Sequence, residues 1–286
     1  MNIKKTLIKA TKDLLNITNR PRLEAEILLS HHLDKARIYL MTHDGDEVES
    51  IDDFWALVDR RVKYEPIEYI TNSVSFYGME LYVASGALIP RPETELLVEE
   101  AAEIIRREGM CRIAEIGIGS GAISIALARL FPQLQIIASD ISEEALAVAR
   151  HNVEAFGLQE RIMLRHSSLL DGIDAPVEMI ISNPPYIARH TPLAPNVAEY
   201  EPHTALYSEE RGDELLKEII LVAKERGVRH LACEMGYDQK QSIAEFVQGI
   251  GDYSISFYRD LAGLDRGFVL CFTNTTQPRT DDEKNV

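Results

Sequence analysis

From residue 111 onward, short apolar runs alternate with amphipathic stretches of helical period. The runs 112–116, 135–139, 161–165, 177–182, 229–234, 254–258 and 268–272 are apolar and of strand length. Among them, 122–130, 143–156, 213–226 and 239–247 repeat apolar positions three and four residues apart. This alternation predicts an α/β fold, a seven-stranded, mostly parallel, doubly wound sheet with helices on both faces. The polar stretch 259–267 is too short for a crossover, so the last two strands are expected as an antiparallel edge pair.

Residues 1–70 read differently. Leu23, Ile27, Leu28 and Leu33 share helical spacing, as do Phe54, Leu57, Val58 and Val62, with a polar break at His43-Asp44-Gly45-Asp46. A small all-helical domain is expected there. Residues 74–83 alternate around Gly78, which predicts a β-hairpin linker over 71–90. Pro90-Arg91-Pro92-Glu93-Thr94-Glu95 then leads into an apolar periodic run and reads as a helix start. The α/β domain is expected over 91–276, followed by a polar tail at 277–286.

Charge narrows the chemistry. Thirty basic against 46 acidic residues give a net charge of −16 over 286 residues. Residues 1–70 hold 11 and 13 of these, so the acidic excess lies almost wholly in the α/β half. Such a surface repels polyphosphate, which makes direct nucleic-acid binding a poor expectation. No apolar run approaches membrane-spanning length, and the basic start Met1-Asn2-Ile3-Lys4-Lys5 soon becomes amphipathic rather than signal-like. A cytoplasmic protein without a membrane partner is expected, by default a monomer. Cys111, Cys233 and Cys271 lie beside or within apolar runs and are expected as buried thiols. Neither a C-x-x-C nor an H-x-x-x-H spacing occurs, so no metal is expected. His31-His32 reads as a helix surface or end.

Two motifs carry candidate chemistry. Gly117-Ile118-Gly119-Ser120-Gly121 sits between a strand and a helix, where glycines permit tight turns and close ligand approach. The spacing is G-x-G-x-G, unlike the dinucleotide fingerprint. Asp140, at the end of the next strand, is placed to accept both hydroxyls of a ribose. No Lys or Arg follows the loop in the first helical turn, and Glu115 adds a carboxyl. A cationic, phosphate-free nucleoside such as S-adenosylmethionine suits that site.

The second motif is Asn183-Pro184-Pro185-Tyr186, which ends the fourth strand. Consecutive prolines stop the sheet and fix the backbone. The Asn183 side-chain oxygen and the freed Pro184 carbonyl then form a two-pronged acceptor for an –NH2 group. Holding both hydrogens orients a delocalised nitrogen and raises its electron density toward a methyl donor. Tyr186 is placed to stack on the planar group and face the sulfonium.

These residues resemble the HemK/PrmC family of peptide chain release factor N5-glutamine methyltransferases. The likeness is carried by Tyr69-Ile70 with Phe76-Tyr77-Gly78, by Pro90-Arg91-Pro92-Glu93-Thr94-Glu95, by the glycine loop, by Asp140-Ile141-Ser142, by the Asn183 motif, and by Asp260-Leu261-Ala262-Gly263. It implies a class I S-adenosylmethionine-dependent methyltransferase domain and a helical domain that recognises release factors. It implies a cofactor site of Gly117, Ile118, Gly119, Ser120, Gly121, Asp140, Ser168 and Asn183. Asn183, Pro184, Pro185 and Tyr186 would hold the glutamine of a class-1 release factor's Gly-Gly-Gln motif, with Asn183, Pro184 and Tyr186 serving the chemistry. Pro90, Arg91, Glu93 and Thr94 would cover the cofactor. Where the family places an acid against the adenine amine, this chain has Ser167-Ser168. Residues 188–207 are expected as a substrate-contacting loop. The alternatives are a DNA adenine-N6 methyltransferase, which requires base extrusion, and a non-catalytic protein that binds S-adenosylmethionine or a partner.

Overall fold

The computed structural model describes residues 1–251 and 253–273, so the expected polar tail lies outside the described residues. Two compact units are present. The smaller comprises Met1–Val74, Val83–Ser85 and Pro192–Glu201, and the larger Ser75–Tyr82, Gly86–Thr191 and the described residues from Pro202 onward.

The smaller unit is built on α1 (Ile3–Asp13), α2 (Pro21–Leu33), α3 (Arg37–Thr42), α4 (Ile51–Val62) and α5 (Ile67–Thr71). The Asn2 side chain caps α1 by accepting the Lys5 N–H, and Pro21 opens α2 with its φ already helical. Leu7, Leu14, Leu28, Leu29, Leu40, Phe54 and Val58 form the core. The buried face of α2 runs through Glu24, Ala25, Leu28 and Leu29, displaced from the face that Leu23 and Ile27 suggest. An acid is tolerated there because Arg61 Nε donates to Glu24 at 2.6 Å and the Thr18 hydroxyl at 2.7 Å. His31 and His32 fall in the last turn of α2, as a helix-end reading expects. The Tyr200 hydroxyl donates to the Lys63 carbonyl at 2.6 Å within the same unit.

Strands β1 (Ser73–Phe76) and β2 (Met79–Tyr82) form the expected hairpin. Its two turn residues, Tyr77 and Gly78, have φ of 49° and 69°, the backbone of a type I′ turn.

The larger unit contains α6 (Thr94–Glu108), β3 (Arg112–Ile116), α7 (Ala122–Leu130), β4 (Gln135–Asp140), α8 (Glu143–Ala155), β5 (Ile162–His166) and β6 (Met179–Ser182). The one-turn helices α9 (Pro195–Ala198, in the smaller unit) and α10 (His203–Leu206) follow, so the stretch expected as loop carries local structure. Then come α11 (Glu214–Glu225), β7 (His230–Glu234), α12 (Lys240–Gln248), β8 (Tyr253–Arg259) and β9 (Asp265–Phe272). Among the described residues the sheet has seven strands in the order β5-β4-β3-β6-β7-β9-β8, parallel except for β9. The antiparallel edge pair is therefore where the short polar connection placed it.

Ile113, Ala114, Ile136, Ala138, Met179, Ile180, Ile181 and Leu231 are all buried, since helices cover both faces of the parallel strands. The chain runs outward from β3 through β4 and β5, then returns to lay β6 on the other side of β3. That reversal is the switch point at which doubly wound sheets collect ligands. Ile116 is in register with Ser139 on one side and Ser182 on the other. The glycine loop, Asp140 and Asn183 thus emerge side by side.

One expectation about the thiols fails. Cys233 is buried and Cys271 partly so, but Cys111 is exposed. It precedes β3 and sits at the open amino-terminal rim of the sheet, outside the apolar run that follows it.

Candidate active site

A cavity opens at this switch point, entirely within the larger unit. Its wall includes Gly117, Ile118, Gly119 and Ser120 after β3, Asp140 at the end of β4, Ser167 and Ser168 after β5, and Asn183, Pro184 and Pro185 after β6. Pro90 and Thr94 close one side, and Thr204, Ala205 and Leu215 another. Gly121, Tyr186, Arg91 and Glu93 are not in the wall.

The loop geometry explains its glycines. Gly117, Gly119 and Gly121 have φ of 74°, 54° and 88°, the left-handed region that side chains disfavour. The Gly117 and Ile118 N–H groups donate to the Ser139 carbonyl at 2.8 and 3.0 Å, which ties the loop to β4. Gly121 caps α7, and a Cβ there would come within 3.2 Å of the Ile125 side chain. Gly121 thus shapes the loop from behind the wall.

Asp140 is held firmly. Its Oδ2 accepts the Gly119 N–H and its Oδ1 the Ser142 N–H, each at 3.0 Å. Each carboxylate oxygen keeps a further lone pair, so the group can still accept hydrogen bonds from a ligand. Of the two serines after β5, Ser167 donates its hydroxyl to the Asp171 carbonyl at 2.8 Å, which leaves Ser168 as the one lying in the wall without that commitment.

Glu115 lies beneath the loop and is 1% exposed. Burial pushes its carboxyl up to about 8, opposed by the Ser124 hydroxyl that donates to it. At neutral pH it is therefore mostly protonated, and the negative charge expected of it is absent. Neither Lys nor Arg lines the cavity, among the described residues. The acids of the wall are accordingly Asp140 and the buried Glu115, with no side-chain cation beside them.

The Asn183 motif leaves β6 where Ser182 Oγ donates to the Ile116 carbonyl at 2.7 Å. Asn183 Nδ2 donates to Thr94 Oγ1 at 3.1 Å, so its Oδ1 is turned from α6. Tyr186 points elsewhere than the stacking position expected of it. Its hydroxyl donates to Glu234 Oε1 at 3.0 Å, and it packs against the core beside β7. Burial, with the Glu234 charge, raises the phenol well above its ordinary range, so it stays protonated.

Two residues that position this motif carry little local signal in the chain. Gln239 Nε2 donates to the Tyr186 carbonyl at 2.9 Å, while its Oε1 accepts the Gly236 N–H at 2.8 Å. Gly212, with φ of 85°, passes so close that a Cβ would sit 2.5 Å from the Tyr186 carbonyl oxygen. Both lie far along the sequence from Tyr186. Only the isolated glycine at the start of α11 hints at a close approach. Among the described residues, no group of three or more His, Cys, Asp or Glu side chains is arranged to hold a metal ion. Nor is any helix of the described residues long and apolar enough to cross a membrane.

Residues 5–71 match the family model "PrmC N-terminal domain", and residues 92–199 match "Methyltransferase small domain". The release factor glutamine methyltransferase of Clostridium acetobutylicum is 33% identical over 279 residues, covering 93% of this chain and 97% of that protein. Its counterpart in Dictyoglomus turgidum is 41% identical over 209 residues, covering 72% and 74%. Among solved structures, the hMettl16 catalytic domain in complex with a MAT2A 3'UTR hairpin aligns with a TM-score of 0.57 at 18% identity, covering 71% of this chain and 79% of that one. A human methyltransferase 10 domain containing protein aligns with a TM-score of 0.51 at 18% identity, covering 68% and 90%. At such identities these two likenesses speak for the class I methyltransferase fold alone.

Proposed function

The chain belongs to the release factor glutamine methyltransferase family, and on that premise we propose that it transfers a methyl group from S-adenosylmethionine to the side-chain amide nitrogen of the glutamine in a release factor's Gly-Gly-Gln motif. The observation that carries this reading is the orientation of Asn183. Its –NH2 is engaged by Thr94, which leaves Oδ1 as an acceptor beside Pro184 in the wall shared with the glycine loop and Asp140.

The residues present suit the methyl donor. Glycines with positive φ leave backbone without Cβ atoms facing the ligand, Asp140 has acceptor capacity for a ribose diol, and the absence of Lys and Arg from the wall disfavours a phosphate. When bound, S-adenosylmethionine supplies an electrophilic methyl on a sulfonium. Gly117, Ile118, Gly119 and Ser120 would hold its methionine part, with Gly121 setting the loop, Asp140 its ribose and Ser168 the adenine edge. Asn183 Oδ1 and the Pro184 carbonyl would each accept one hydrogen of the glutamine –NH2. Accepting both fixes the nitrogen and makes it electron-rich as its lone pair leaves amide conjugation. Once alkylated, the nitrogen is acidic and releases one proton to solvent without a strong base. Pro185 would keep the motif rigid, and Pro90 and Thr94, which lie in the wall, would cover the cofactor together with the neighbouring Arg91 and Glu93.

Class-1 release factors are the proposed protein partners, met by the smaller helical unit, and the proposed setting is the cytoplasm. A monomer remains the expected state. The readings as DNA adenine-N6 methyltransferase and as a non-catalytic binder gain nothing from the family membership, and the net charge of −16 opposes the first. Mass spectrometry of a treated release factor tests the proposal by locating one added methyl on the glutamine of its Gly-Gly-Gln peptide. Replacement of Asp140 by alanine removes the ribose acceptor and the anchor of Gly119. It is expected to weaken S-adenosylmethionine binding by about tenfold to thirtyfold, measured by calorimetry.

A further inference from the structure

The glycine loop is tied to β4 through Gly117, Ile118 and Gly119, and a further anchor reaches it from α8. Asn152, in that helix, is 1% exposed. A primary amide so deeply buried must spend its acceptor and both hydrogens inside the protein. Its Oδ1 accepts the Tyr82 N–H at 2.8 Å, and its Nδ2 donates to the Tyr82 carbonyl at 2.8 Å and to the Ser120 carbonyl at 2.9 Å. The first two bonds imitate a neighbouring strand, closing both backbone groups of the last residue of β2. The remaining hydrogen reaches the loop itself, at a residue that lines the cavity. These partners fix the amide, because a flipped one would set –NH2 against the Tyr82 N–H and Oδ1 against the Ser120 carbonyl.

The same helix shapes a second part of the wall. Gly86, shortly after Tyr82 in the chain, lines the cavity with Ala87, Leu88 and Pro90. Its φ is 103°, and a Cβ there would lie 2.6 Å from the Glu144 Cβ of α8. We propose that Asn152 is a positioning residue for the methyl donor. By holding Tyr82 and Ser120 together it sets the Ser120 end of the glycine loop and the start of the segment that leads into Gly86–Pro90. Aspartate has the same shape but no hydrogen for either carbonyl, and glutamine carries its amide one methylene too far. The turn of the hairpin has an anchor of its own, since the Tyr77 N–H donates to Glu95 Oε1 at 2.7 Å. The base and the turn can therefore be released separately. The inference rests on the S-adenosylmethionine reading of the cavity.

The test uses the full chain, with S-adenosylmethionine binding followed by calorimetry. Asn152→Asp is expected to weaken binding by about tenfold to thirtyfold and to raise KM for S-adenosylmethionine in step. At saturating cofactor its kcat on a release factor is expected within about threefold of wild type, whereas partial unfolding would lower kcat and spare KM. Glu95→Ala, which frees only the turn, is expected to keep the Kd within about threefold. A second measurement needs no variant. Tyr82 does not line the cavity, yet S-adenosylmethionine is expected to slow hydrogen exchange at its amide by at least about tenfold, with the Tyr77 amide changed by less than about threefold. An Asn152→Asp variant with wild-type affinity, or a Glu95→Ala variant weakened as much as Asn152→Asp, overturns the role of Asn152. So does exchange at Tyr82 that is unmoved by the cofactor or moved no more than at Tyr77. A wild type that binds no S-adenosylmethionine overturns the reading of the cavity and the role of Asn152 with it.

Discussion

Replacement of Asn183 by alanine is expected to lower kcat on a release factor by at least about a hundredfold, some 2.7 kcal/mol of barrier, while the Kd for S-adenosylmethionine stays within about threefold. The side chain is half-buried just past β6, and its Nδ2 donates to Thr94 rather than to the glycine loop. Truncation therefore removes the acceptor without disturbing Gly117–Gly121 or Asp140. An amide nitrogen is a poor nucleophile because its lone pair is shared with the carbonyl. The acceptor's contribution grows as that sharing is lost, so its removal falls on kcat more than on binding. Turnover retained within about tenfold, or 1.4 kcal/mol, contradicts the two-pronged acceptor.

The second large effect concerns stability. Glu115 titrates near 8 when folded because it is buried, against an ordinary value of 4.5. The folded state thus binds a proton that the unfolded chain releases between these values, and stability falls as pH rises through the window. Glu115→Gln has no such proton to lose. The difference in unfolding free energy, variant minus wild type, is expected to grow by about 3 kcal/mol between pH 5 and pH 8 in cofactor-free protein. Paired measurement cancels the acids that act in the opposite sense, among them Asp260 and Asp265, whose carboxyls are held low by hydrogen bonds from Arg266 and Arg259 respectively. Denaturant titration at several pH values checks it. A flat difference would show that Glu115 is ionised in the folded state.

Much of this architecture was legible because local and global signals agree. Each parallel strand is an apolar run buried on both faces, so its composition announces it. The strand-end rule places Asp140 and Asn183 beside the glycine loop, as the structure has them, since all three lie at the carboxyl ends of neighbouring strands. What escaped was non-local. The orientation of Tyr186 depends on Glu234, 48 positions away, and the course of its backbone on Gly212 and Gln239. Glu24 enters a helical core because Arg61, 37 positions away, meets it there. Glu115 looked like added charge because burial is invisible in a string of letters. Cys111 looked buried because it adjoins β3, but it lies one residue short of it.

The central claim is transfer of a methyl group to the release-factor glutamine. Protein is incubated with labelled S-adenosylmethionine and, in separate reactions, a release factor, the same factor with its Gly-Gly-Gln glutamine replaced, and adenine-containing DNA. The predicted result is label on the intact release factor alone. Label on DNA without label on the release factor, or no transfer to any of the three despite measurable cofactor binding, contradicts it.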